Sequence, residues 1–171
     1  MKTVVLTMIL MFLFGGCSAP VWEHVNDTFP AQAEPVWQKT TYEISLGLPE
    51  HIRLLEKNET YALYSSEHGE VEIETIKFLA SGTEQAIRKL SGFNADRLTV
   101  LQTQRFNLPE YQFAWVSQTE QGTRLYRADL IMDGTCCYAI VCNSLEDAGD
   151  YASFEARKVF STFGLNNSEE I

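Results

Sequence analysis

The sequence predicts an α+β domain: an antiparallel sheet of about six to seven strands, with a mid-chain helix and a C-terminal amphipathic helix packed on it. Three observations predict it. Apolar and polar residues alternate with period two over much of residues 42–132, as in half-buried strands. Cys136 to Cys142 is instead apolar on both faces, as a central strand requires. Ala152, Ala156, Val159, Phe160 and Phe163 then fall at helical spacing on one face.

The elements follow in order. Tyr42, Ile44, Leu46 and Leu48 alternate with Glu43, Ser45 and Gly47, and Pro49 closes that strand. A hairpin comes next, with arms at Ile52–Leu55 and Tyr61–Tyr64 and a turn at Lys57-Asn58. His68-Gly69 turns into a strand running from Val71 to Leu79. Glu70, Glu72 and Glu74 share one face there, which reads as a solvated strand face. Ser81-Gly82-Thr83-Glu84 opens a helix, with Ser81 and Glu84 spaced for a capping box. Ala86, Ile87 and Leu90 form its apolar face, and Gly92 ends it. Strands return over Leu98–Phe106, Tyr111–Thr119 and Leu125–Met132, with a turn at Gln121-Gly122. Asp133-Gly134 is the strongest hairpin signal, because both residues tolerate positive φ. Asp147 or Asp150 can cap the last helix, and Gly164 stops it.

The first seventeen residues carry a separate message. Lys2 precedes an apolar run from Val4 to Phe14, broken only by Thr7, and Gly15-Gly16-Cys17 follows. The run is too short to span a membrane, which takes roughly 20 residues. The layout is that of a secretory signal peptide. It resembles a bacterial lipoprotein signal, with Phe14 standing where an aliphatic residue is usual. That resemblance implies that Cys17 receives diacylglycerol, becomes the first mature residue and holds the chain to the cell membrane on its extracytoplasmic side. Two acyl chains on one cysteine anchor stably, since each buried CH₂ contributes about 0.8 kcal/mol. The expected organisation is therefore a signal peptide at 1–16, a lipidated cysteine and tether at 17–41, one domain at 42–165 and a frayed tail at 166–171. The tether carries Pro20, Pro30 and Pro35. Its Trp22, Val25, Phe29 and Trp37 predict that part of it lies against the domain.

Charge narrows the partners. Loss of Lys2 from 13 Lys+Arg leaves 12 against 23 Asp+Glu, a net charge of −11 after the leader. That argues against nucleic acid and against direct adhesion to anionic headgroups. Beyond Cys17 the cysteines are Cys136, Cys137 and Cys142, an odd number on one strand. Cys136 and Cys142 would stand about 20 Å apart, beyond disulfide reach. They read as small buried side chains, with a redox pair at Cys136-Cys137 as the rival. The three histidines, His24, His51 and His68, make no ligand spacing, so no metal or cofactor is expected. No nucleophile motif, phosphate loop or dinucleotide fingerprint occurs, and no catalytic residue is assigned.

Element order then suggests a family. A Tyr42-x-Ile44-x-Leu46-x-Leu48-Pro49 strand opens the domain and a short helix interrupts the strands. A meander runs into Tyr138-Ala139-Ile140-Val141-Cys142, and the closing helix ends in Val159-Phe160-Ser161-Thr162-Phe163. Residues 42–165 resemble the Mog1/PsbP-like fold, including small bacterial lipoproteins of unassigned function. A cystatin- or NTF2-like α+β fold is the alternative. The resemblance implies a binding or assembly factor and carries no functional residue onto this chain. The expectation is a membrane-anchored, non-enzymatic binding domain with a protein partner. The alternative is an envelope-acting hydrolase using carboxylates that no motif reveals. A cleft holding two buried acids would favour the enzyme, and an apolar patch or groove the binder.

Overall fold

In a computed structural model of the chain, residues 42–67, 69–146 and 149–167 are described, all within a compact unit spanning Pro35–Ile171. A second unit, Met1–Glu34, lies outside the described residues. The leader, Cys17, the tether, His24, His68 and residues 168–171 lie outside them too.

Nine strands are described: β1 (Tyr42–Ser45), β2 (Arg53–Lys57), β3 (Tyr61–Ser65), β4 (Val71–Leu79), β5 (Leu101–Arg105), β6 (Leu108–Thr119), β7 (Gly122–Asp133), β8 (Cys136–Leu145) and β9 (Gly164–Asn167). Helix α1 spans Thr83–Ser91 and α2 spans Gly149–Thr162. The main sheet has seven antiparallel strands in the order β2-β3-β4-β8-β7-β6-β5. Its middle is β8, whose residues from Cys137 to Asn143 are all buried. Side chains alternate across a strand, so this run feeds two cores. Tyr138, Ile140 and Cys142 join Ile73, Ile131, Val159 and Phe163 beneath α2. Cys137, Ala139 and Val141 join Ala86, Ile87, Phe113 and Leu130 beneath α1. Cys136 and Cys142 thus face α2 and Cys137 faces α1, all three as free thiols. Burial pushes the Cys137 and Cys142 thiols up to about 12.

Several expectations need correction. The opening strand is only four residues long and stands outside the main sheet. β1 pairs with β9, with Tyr42 opposite Asn167 and Ser45 opposite Gly164. Asn166 and Asn167 are therefore strand residues and not a frayed tail. Gly164 permits the close approach, since a Cβ there would come within 2.7 Å of Ser45 Oγ. Tyr42 meets Tyr138 edge to face at 5.7 Å, which seats this ribbon on the α2 side of the sheet. The helix cap also shifts by one residue. Gly82 is the N-cap, and Ser81 donates from its backbone N–H and its hydroxyl to Gln85 Oε1 (2.6 and 3.0 Å), not to Glu84. The predicted strand at Leu98 starts at Leu101, because Ala95–Arg97 forms a 3-10 turn. Leu98 and Val100 pack into the α1 core instead. The last hairpin loop is Gly134-Thr135, with Asp133 already paired to Cys136.

The β5–β6 hairpin turns through Phe106 and Asn107, both at positive φ (54° and 63°). Asparagine tolerates this conformation, and a bulky aromatic does so only with strain. Phe106 nevertheless points outward, 56% exposed.

Urea titrations should rank three substitutions. Phe163, 3% exposed, should lose about 3–5 kcal/mol as Phe163→Ala. Lys158→Ala, on the exposed side of α2, should stay within about 0.5 kcal/mol of wild type. Phe106→Gly should gain about 1 kcal/mol, by relieving the left-handed backbone. A Phe106→Gly variant less stable than wild type would show that the ring contributes to the fold.

Candidate functional site

Two polar clusters interrupt the apolar layers, and each sits where a strand register forces charge inward. On the α2 side, Arg105 of β5, Glu110 and Gln112 of β6 and Asp129 of β7 come together. Glu110 faces Ile131 and Gln112 faces Asp129 in the β6–β7 register. Arg105 Nε lies 2.6 Å from Glu110 Oε1, and Nη2 lies 3.3 Å from Asp129 Oδ2. Its Nη1 donates to the carbonyls of Phe160 (3.2 Å) and Phe163 (2.9 Å) at the C-terminus of α2. The guanidinium also stacks over the Phe163 ring at 5.6 Å. One cation therefore satisfies orphan carbonyls of the helix end and balances the acids. Thr103 donates its hydroxyl to Glu110, and Gln112 donates to Asp129 Oδ2 at 3.3 Å.

Asp129 is wholly buried. Burial, then the charge of Glu110, pushes its carboxyl up to about 7, against the opposing pull of Arg105. Burial and the neighbouring Glu110 charge both favour the protonated form of Asp129. Its Oδ1 is buried with no hydrogen-bond partner among the described residues. These are the two buried acids on which the enzyme reading depends. They are held by a helix terminus, an arginine and a glutamine, and neither of the cavities described below is lined by them. The signal in the sequence was an acid inside an apolar run, Ala128-Asp129-Leu130-Ile131, which alternation alone reads as unremarkable.

The second cluster lies on the opposite face. Arg124, 4% exposed, donates from Nη1 to Glu72 Oε2 (3.0 Å) and to Asn143 Oδ1. From Nη2 it donates to Gln121 Oε1 (2.8 Å) and to the Gly69 carbonyl (3.1 Å). The acidic row of β4 is thus not simply solvated. Glu72 is tied to Arg124, and Glu74 is half-buried and bonded to Tyr61. Burial raises the Glu74 carboxyl, and burial beside Glu74 pushes Tyr61 up to about 12. Glu70 immediately precedes β4 and is exposed.

Beside this row the sheet face is only partly roofed by the described residues. Helix α1 has nine residues, about 13.5 Å of length. The twelve residues of β7 run about 40 Å. Ala86 and Ile87 cover the end near Ala80, Met132 and Cys137. Toward the other end, Phe113, Trp115 and Tyr126 form a stacked series, with centroids 5.7 and 5.1 Å apart. Trp115 and Tyr126 are half-buried. Charge is uneven across this face: in the β2–β4 register it carries Glu56, Glu72 and Glu74 against Arg53. A cavity of about 780 Å³ opens beside the N-terminus of α1, lined by residues including Thr83, Gln85, Arg88 and Asp96. A smaller one of about 50 Å³ lies at Tyr61, Lys77 and the Asn58 turn. His51 is exposed next to the Pro49 turn. Among the described residues no group of His, Cys, Asp and Glu is arranged to hold a metal ion, and no helix is long and apolar enough to cross a membrane.

No family model matches the chain, and no curated protein does either. Solved structures do. A Bacteroides thetaiotaomicron protein is similar over 74% of this chain, at 13% identity and a TM-score of 0.51; the chain spans 46% of that longer protein. LpqN of Mycobacterium tuberculosis, described as involved in cell envelope biogenesis, is similar over 73% of this chain and 84% of its own, at 12% identity and a TM-score of 0.50. The PsbP of the cyanobacterium Synechocystis is similar over 75% of this chain and 95% of its own, at 10% identity and a TM-score of 0.46. The likeness is one of fold. The α+β architecture, with a helix interrupting an antiparallel meander and a second helix closing it, is the fold class that the sequence predicts.

The acid pair makes stability depend on pH in a stated direction. Asp129 has a folded pKa of about 7 against 3.8 for the free group, so folding takes up a proton between those values. Its contribution is complete below pH 3.8 and is lost as pH rises toward 7, at up to about 1.4 kcal/mol per unit. Asp129→Asn mimics the neutral acid. Urea titrations at pH 5 and pH 8 should show a smaller fall in stability for Asp129→Asn than for wild type. Identical pH dependence in the two proteins would mean that Asp129 is ionised in the fold.

Proposed function

We propose that this chain is a lipid-anchored extracytoplasmic domain that binds a protein partner and catalyses no reaction. The observation that carries this reading is the unroofed half of the α1 face, where the Trp115–Tyr126 stack stands beside the Glu72 and Glu74 row. Half-buried aromatics supply contact area at low entropic cost, and they are common anchors of interfaces. The Glu-rich β2–β4 side favours a partner segment bearing Lys or Arg. The similarity to LpqN supports an envelope setting, and the lipoprotein-like leader ending at Cys17 supports anchoring there. The acid pair does not favour the hydrolase, because its members are consumed in holding α2. Arg105, Gln112 and Thr103 engage Glu110 and Asp129 Oδ2 instead.

The test is capture of the tagged full chain from its own membrane at low and high salt. A partner should copurify with wild type, fall at least tenfold with Trp115→Ala or Glu74→Gln, and weaken with salt. Cys17→Ser should leave the membrane fraction. A partner retained equally by both face variants would remove this face as the docking site. An unmodified Cys17 in the mature protein would remove the anchor.

A further inference from the structure

The edge of the sheet at β6 is built differently from the edge at β2. Strand β6 pairs with β7 from Glu110–Ile131 to Thr119–Gly122. Its other side is covered by β5 only as far as Gln112, opposite Leu101. Residues Phe113 to Thr119 therefore have no outer strand among the described residues. No backbone hydrogen bond from a neighbouring loop replaces one there. Open edges of this kind are templates for pairing, and proteins usually blunt them with charge, proline or a bulge. The β2 edge carries such devices: Arg53, Glu56 and Lys57, with a register shift between Leu54 and Glu56. The open part of β6 reads Phe-Ala-Trp-Val-Ser-Gln-Thr, with no charge and no proline. The nearest acid, Glu120, lies beyond its end.

We infer that this edge pairs with the same edge of a second copy of the chain. The seven open residues are centred on Val116. An antiparallel pairing about a two-fold axis at Val116 sets 116 opposite 116, 115 opposite 117, and 113 opposite 119. Every open backbone group then finds a partner, and the interface is isologous. Charge selects the occupant. In a chain of net charge −10, this stretch brings two acidic copies together without setting like charges face to face. The side chain at the two-fold is apolar and ready for contact. Val116 is 51% exposed and lies beside Leu125 of β7, itself 36% exposed. The inference goes beyond the proposed function and does not rest on it, since Trp115 and Val116 point to opposite faces.

The test is oxidative cross-linking, in their own membrane, of full-length variants that each add one cysteine to the native set. Residues directly opposite in an antiparallel pair lie within disulfide reach. Val116→Cys should form a disulfide-linked dimer at least tenfold faster than Ala114→Cys or Gln118→Cys. Position 114 would stand about 13 Å from its own copy in this register. Lys57→Cys, on the opposite edge, should not exceed the wild-type background from the native cysteines. Val116→Lys, at an exposed position that tolerates the change, should convert a sedimenting dimer in detergent into a monomer. Equal rates at positions 57, 114, 116 and 118 would signal collision and overturn the inference. So would a Val116→Cys product containing a different protein, or wild-type chain that sediments as a monomer.

Discussion

Everything in this fold depends on one strand that has no solvent face. β8 is buried from Cys137 to Asn143, so both sides of the sheet must be covered where it runs. The chain meets this demand with unequal means. On one side it places the fourteen residues of α2 and the β1–β9 ribbon. On the other, the described residues supply the nine residues of α1 and the loop that follows. The shorter cover leaves part of the sheet to be shielded by its own large side chains. Phe113, Trp115 and Tyr126 perform that role, stacked against one another beside the small, buried Ala128 and Val141. The candidate binding face is therefore a consequence of the layer arithmetic.

The polar groups inside the layers tie distant parts of the chain together. Arg105 reaches from an edge strand to the last carbonyls of α2, next to the point where the chain turns into β9. Arg124 joins β7 to β4 and β8 and to the Gly69 turn. A buried charge is costly unless its hydrogen bonds are filled, and each arginine makes several. Such groups specify position more than they add stability. They hold the register of β6 against β7, because a slip of one residue would turn Glu110, Gln112 and Asp129 away from Arg105.

Period-two patterning made most of the main sheet legible, and period 3.6 did the same for α2. Both signals come from burial on one face, so they fail where burial is not the cause. β9 is Gly-Leu-Asn-Asn, a poor strand sequence, and it is strand only because β1 lies beside it. The placement of β1 outside the main sheet is likewise a tertiary fact. The Ser81 cap went to Gln85 because the helix begins one residue later than the Ser–Glu spacing implied. The polar clusters were visible only as isolated polar residues. Asp129 and Glu110 lie nineteen positions apart, and nothing local links them until β6 and β7 pair.

The face and the edge meet on β6, and alternation keeps them separate. Trp115 belongs to the α1 face and Val116 to the α2 face, while the edge itself is backbone. A two-fold that sets Val116 opposite its own copy runs perpendicular to the sheet, because opposed residues of an antiparallel pair point to one side. It would therefore bring the two Trp115–Tyr126 stacks onto the same side, flanking the new strand pair. Two half-roofed faces would become one continuous surface, aromatic at its centre and rich in Glu toward the β2–β4 ends. A cationic partner lying across it would touch both copies, and binding at the second copy would follow at the effective concentration set by the first. In this arrangement the short cover over β8 and the uncharged stretch of β6 serve the same end. The one exposes the aromatic stack, and the other lets two acidic chains place their stacks side by side.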